Sequence, residues 1–442
     1  MSQTPAPTLD MTAVTPAADV READRALRRL ASIELWERFS YYILTGLLAL
    51  YLAAPVAEGG AGWAPEDALR FYGFYLACIT IAPFFGGLVS DRWLGGASAL
   101  FAGAWMMLAG HGLLGLAGLQ AGVSIAFYTG LALVALGNGL FKPNISVLVG
   151  RLPHDSQSAR DAAFGTFWMF INIGGLLATM GGGLLAQRLS WHWAFGAAGL
   201  GMVIALALMA LFHRRVIAPY ATVPERRRDA RSPVDWAFLT PVGIILAIII
   251  LFGVAYYQVF GALSLFTDSR VDRLIFGFEV PTVWFLSLNP FFMLMLVPLI
   301  SRGWRYGRGI GHDWPTTRKL AAGFVLVAAS FVLMLGAIVQ AQSGLASPLW
   351  IVGAILVLTL AELMTGPIAL AAVSRLSPAP VANIAMGGYS AAIGIGGLLS
   401  GQVGALAMKD GMLAVFGAIA GGAMLVAAAL HLARARLQRL GI

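Results

Sequence analysis

The 442-residue chain has one cysteine, Cys78, three lysines, and 11% charged residues against 59% hydrophobic ones. A single cysteine excludes an intramolecular disulfide and any cysteine-built zinc or iron–sulfur site. A charged fraction about half that of ordinary soluble domains, with a mean hydropathy of +0.80, excludes a soluble globular chain. None of Lys142, Lys319 and Lys409 follows the G-x-x-x-x-G-K-[ST] pattern that cradles nucleotide phosphates, so an ATP-driven pump is excluded too. His, Asp and Glu show no metal-ligand spacing, and no Ser, His and Asp share a helix face, so neither a cofactor nor an enzyme is expected. The net charge of +8 would suggest nucleic acid in a soluble chain. Here the basic residues lie between apolar runs, where they orient a membrane protein, and no nucleic-acid partner is expected.

What the chain has is apolar runs. A bilayer core of about 30 Å needs roughly 20 such residues per helical crossing. Runs fall near 33–54, 69–90, 97–118, 124–150, 162–186 and 193–212, then near 236–266, 281–301, 320–341, 348–373, 381–407 and 412–432. Between the two sets of six lies a stretch with six arginines and Pro219, Pro224 and Pro233. The expected organisation is a flexible tail over 1–31, a six-helix bundle over 32–213, a basic linker over 214–235 and a second bundle over 236–442. No apolar core or cleavage site precedes the first run, so the tail is not a signal peptide. With the amino terminus inside, 22 of the 29 Lys and Arg fall in inside loops and tails, five fall outside, and Arg38 and Lys142 lie within runs. That asymmetry predicts a multi-pass cell (inner) membrane protein with both termini cytoplasmic. The fold class expected is an all-α polytopic protein of twelve transmembrane helices, two six-helix bundles in the manner of the major facilitator fold.

Ionisable groups inside apolar helices are costly and mark pathways or pairs. Five are found: Glu34, Glu37 and Arg38 in the first run, Lys142 in the fourth and Glu362 in the tenth. Full ionisation leaves one carboxylate without a counter-charge, which points to a proton-binding site. Helical spacing sets Glu34, Arg38, Tyr41 and Tyr42 along one side of the first helix, with Glu37 one step round. An arginine between two acids can exchange partners and offer its planar fork to a carboxylate; the alternative is a static pair near the helix end. Lys142 lies deep in its run beside Pro143, which loosens the helix there. Glu362 has no basic partner in its own half and is expected to face across a cavity, toward Lys142 or a substrate amine. Asn172, Asn289 and Gln258 serve equally well as ligands or as amides tying helices together, and for His111 the structural reading is preferred.

Together these motifs resemble the proton-dependent oligopeptide transporter (POT) family of the major facilitator superfamily. The resemblance rests on E-x-x-E-R-F-x-Y-Y (Glu34, Glu37, Arg38, Phe39, Tyr41, Tyr42), Gly139 with Lys142-Pro143-Asn144 and Ser146, the Phe167 to Gly174 segment with Asn172, Trp284-Phe-x-x-x-Asn289-Pro290, and Glu362 with Pro367. Gly86-Gly87-x-x-x-Asp91-Arg92 is similar to the broader facilitator gating motif. The resemblance implies proton-coupled import of di- or tripeptides or a related small molecule, by a monomer. It implies proton coupling through Glu34, Glu37, Arg38 and Glu362, and substrate contact at Arg38, Tyr41, Tyr42, Lys142, Asn172, Gln258, Asn289, Glu362 and Tyr389. Departures are also present: the family's second cation falls on Thr45, its second-span tyrosine on Thr80, the acid before the glutamine on Tyr257, the tenth-span serine on Gly366 and the eleventh-span tryptophan on Tyr389. The linker is too short for two extra helices. A second reading, a proton-driven exporter of amphiphilic compounds or a carrier with a drifted substrate, draws on Thr45, Thr80 and Tyr257.

Overall fold

Backbone in lipid can hydrogen-bond only to itself, so long apolar runs must become helices. The computed structural model describes residues 17–117, 124–153, 156–221, 236–309, 314–378 and 381–442. The first bundle is α1 (Ala17–Ala53), α2 (Pro65–Val89), α3 (Gly96–Ala117), α4 (Ile125–Gly150), α5 (Gln157–Arg188) and α6 (Trp191–Phe212). A π-helical turn and the short α7 (Ala218–Ala221) follow. The second bundle is α8 (Leu239–Tyr256), α9 (Ala262–Arg270), α10 (Thr282–Leu286), α11 (Leu288–Gly309), α12 (Thr316–Gln340), α13 (Pro348–Leu376), α14 (Ala382–Asp410) and α15 (Met412–Leu432), ended by α16 (Arg434–Arg439). The one sheet among the described residues is a hairpin of β1 (Leu274–Ile275) and β2 (Phe278–Glu279).

Among the described residues, eleven helices are long and apolar enough to cross a membrane. The 37-residue α1 falls outside that set because Glu34, Glu37 and Arg38 lower its hydropathy. It packs inside the first bundle on α5 and α6.

Three local features differ from the sequence-based expectation. Part of the segment assigned to a flexible tail is helix: Ala23, Ala26, Leu27 and Leu30, three or four apart, are buried while Arg21, Arg25 and Arg28 face out, an amphipathic stripe that continues α1. The rest of the tail, 1–16, lies outside the described residues, as does 222–235 of the linker. The run expected over 236–266 breaks at Tyr257–Gly261 into α8 and α9, and the run over 281–301 breaks at Ser287, whose hydroxyl turns back to the Trp284 carbonyl at 2.5 Å. The hairpin turn uses Phe276 (φ 50°) and Gly277 (φ 78°), the left-handed pair a two-residue hairpin loop requires.

The halves meet along α2 and α14. A Cβ on Gly73 would lie 2.7 Å from the Gly401 Cα, so only glycine permits this approach. At the end of the bundle where α1 finishes, the Trp284 indole donates to the Met180 carbonyl at 2.9 Å and the Gln187 amide to the Glu279 carbonyl at 3.2 Å. Arg188 stacks over Phe278 at 5.4 Å. The β hairpin is thereby fastened to the other half.

Candidate functional site

One turn of α1 carries Glu34 and Arg38, four residues apart and on one face. Both are buried, as is Glu37. Arg38 pairs with Glu37 through Nε and, at 2.6 Å, through Nη2, and its Nε lies 3.4 Å from Glu34 Oε1. Its Nη2 also donates to Asn138 Oδ1 at 2.8 Å, and its guanidinium sits 4.3 Å from the Tyr41 ring centroid. Lys142, one turn beyond Asn138 on α4, pairs with Glu34 Oε1 and lies 5.8 Å from the Phe167 ring centroid. Two acids and two bases thus close a network across α1 and α4. Glu34 Oε2 is buried with no hydrogen-bond partner, an open acceptor position in a site where unpaired polar atoms are costly.

Local sequence explains the assembly. A Cβ on Gly174 would fall 2.4 Å from the Leu35 carbonyl and 3.2 Å from the Arg38 Cβ; its absence lets α5 lie directly against the charged turn of α1. On α4, Pro143 follows Lys142, and Asn144 bonds back to the Leu140 carbonyl at 2.7 Å while accepting from Ser90 at 2.7 Å. The motif around Lys142 is thereby anchored to the end of α2, beside Asp91 and Arg92, which are exposed in a π-helical turn at Ser90–Leu94.

The second half offers a different environment. Glu362 on α13 accepts from Asn289 Nδ2 at 2.9 Å, and the same amide donates to Thr359 at 3.1 Å. Tyr256 closes the group, its hydroxyl 3.5 Å from Asn289 Oδ1. These partners are all neutral, and Lys142 is committed to Glu34 rather than to Glu362. The carboxylate in excess of the balanced network is therefore Glu362. Tyr42 lies within electrostatic reach of both Arg38 and Glu362, and Tyr257 of Tyr41, Tyr42, Glu362 and Tyr389. Tyr42 thus lies near both charged centres, and Tyr257 near Tyr42 and Glu362.

Other expected residues are placed less centrally. Gln258 is buried and its amide nitrogen is shared among the Val254 and Ser400 carbonyls and the Ser400 hydroxyl at 3.0–3.2 Å, tying the α8–α9 break to α14. Asn172 donates to its own helix at Trp168. The Tyr389 hydroxyl donates to the Gly366 carbonyl at 3.1 Å, and Thr45 turns its hydroxyl to the Tyr41 carbonyl. Sequence reading missed Asn138, Thr359 and Tyr256. The available signal was spacing: Asn138 is four residues before Lys142, and Thr359 three before Glu362.

Comparison with known proteins is consistent throughout. The sequence profile described as POT family matches residues 97–219 and 232–435. Peptide transporter YePEPT of Yersinia enterocolitica is 30% identical, over 85% of this chain and 86% of that one. Dipeptide and tripeptide permease A of Escherichia coli is 26% identical, over 87% and 85%. The crystal structure of peptide transporter POT in complex with sulfate superposes with a TM-score of 0.86 at 25% identity, covering 94% of this chain and 95% of that one.

Proposed function

Since the chain belongs to the POT family, we propose that it is a proton-coupled symporter that imports di- or tripeptides, or a related peptide-like molecule, by alternating access of its two halves. The observation that carries this reading is the division of charge: a balanced Glu34–Lys142–Arg38–Glu37 network in one half and a carboxylate held only by neutral donors in the other. A proton on Glu34 removes the charge that holds Lys142, leaving the ammonium for a substrate carboxylate, with Arg38, still paired with Glu37, beside it. Glu362, with Asn289 beside it, offers a counter-charge to a substrate ammonium, and its own protonation releases that ammonium. Tyr41, Tyr42, Asn172, Gln258 and Tyr389 complete the proposed substrate surroundings. Asp91 and Arg92 would act in gating at the end of α2.

The protein would act as a monomer in the cell (inner) membrane with both termini cytoplasmic, which makes the Trp284–Met180 end the outer one. The test is dialanine accumulation by proteoliposomes under an imposed pH gradient. Concentrative uptake with acid outside supports the reading. Uptake indifferent to the gradient, or proton-driven outward movement of an amphiphilic dye in its place, overturns it.

A further inference from the structure

A cavity separate from the charged centres opens at the outer end where the halves meet. It measures about 930 Å³, within the size range of small-molecule sites. Leu47 and Leu50 of α1 and Thr282 and Val283 of α10 line it, so its floor is the closed junction itself. Its charged lining is of both signs. Arg273 is already occupied, at 3.5 Å from Asp268 and 3.0 Å from Glu279, and Asp268 also accepts from Thr282 at 2.6 Å. Two lining groups differ from these: the Arg270 guanidinium, at the end of α9, and the Glu58 carboxylate, beyond α1, are exposed and, among the described residues, unpaired. One belongs to each half of the molecule. A free cation and a free anion facing one crevice across the domain junction suit a small molecule that carries both charges.

We propose that this crevice is an outer docking site, where a zwitterionic peptide-like solute sets its carboxylate on Arg270 and its ammonium on Glu58 before the outer junction opens. A solute held there lies directly on the seal it must pass. The inference rests on the transport reading above and adds to it a capture step that raises local solute concentration.

The experiment measures acid-outside dialanine uptake by cells that lack other peptide carriers and express this chain or its variants. Arg270→Gln and Glu58→Gln each raise the KM for entry about tenfold, the loss of one charge-assisted contact, with the maximal rate unchanged. Arg270→Lys stays close to the unaltered protein. The melting temperatures of all three purified variants match that of the unaltered protein, which separates loss of a contact from a fold defect. Unchanged KM in both glutamine variants, or an equal rise of KM in Arg270→Lys, overturns the docking site while leaving symport standing. Absence of concentrative uptake by the unaltered chain would instead overturn symport, and the docking site with it.

Discussion

Lys142 and Glu34, 108 residues apart in the chain, are bonded across α4 and α1, and the same Glu34 oxygen lies 3.4 Å from Arg38. One carboxylate oxygen thus serves two cations while its twin has no partner. Charge and geometry together make Glu34 the point at which a proton would rearrange the network.

Lys142→Ala is therefore expected to abolish gradient-driven dialanine accumulation. Removing one member of a buried ion pair typically costs about 3–5 kcal/mol, because the other charge is left short of a partner; Lys142 keeps 27% of its side chain exposed and Glu34 keeps Arg38 at 3.4 Å, so the lower end applies. The double variant Lys142→Ala, Glu34→Gln removes the stranded charge, and its melting temperature should exceed that of Lys142→Ala alone. Accumulation equal to that of the unaltered protein in Lys142→Ala would remove the network from the mechanism.

Glu362→Gln keeps a side chain that Asn289 can reach but takes away the titratable charge. Accumulation against a gradient should fall to background, whereas counterflow exchange of dialanine, which needs no net proton movement, should persist at a raised KM because the counter-charge to the ammonium is gone. The two assays on one preparation decide the matter. Loss of both would show that the Glu362 charge is indispensable to dialanine binding itself.

Asn138→Leu tests the residue that links the network to α2. Its side chain accepts from Arg38 and donates to the Ile79 carbonyl at 3.1 Å. The substitution leaves both buried partners short of a bond, a loss of about 1–3 kcal/mol, read as a lower melting temperature. It should weaken uptake without abolishing it, since the three ion pairs of the network remain.

The crossings and the five in-span charges were legible because hydropathy and charge are local properties of a sequence. Pairing across helices is not local. Lys142 reads equally well toward Glu34 or Glu362 until α4 is placed against α1, a placement that depends on which surfaces pack closely. The break at Tyr257–Gly261 was hidden for another reason: Tyr256 to Phe260 holds no proline or glycine, and Val259 and Phe260 carry the apolar run across it, so composition does not mark where the backbone turns. The helical start of α1 was missed because arginines among alanines resemble a solvated tail unless the three- and four-residue spacing of Ala23, Ala26, Leu27 and Leu30 is followed.

The contact between α5 and α1 can be tested by two glycines of the same helix. Alanine in place of glycine inside a helix ordinarily stabilises it by about 1 kcal/mol. At Gly165 a Cβ meets nothing within 4 Å, so Gly165→Ala should leave the melting temperature unchanged or raise it slightly. At Gly174 the added methyl would lie 2.4 Å from the Leu35 carbonyl, and a backbone atom cannot turn aside. The helices must separate at the level of Arg38, an overpacking loss of about 1–3 kcal/mol. Gly174→Ala should therefore melt below both the unaltered protein and Gly165→Ala, with uptake reduced because the charged turn of α1 loses its support. Equal melting of the two variants would show that α5 does not press on α1 there.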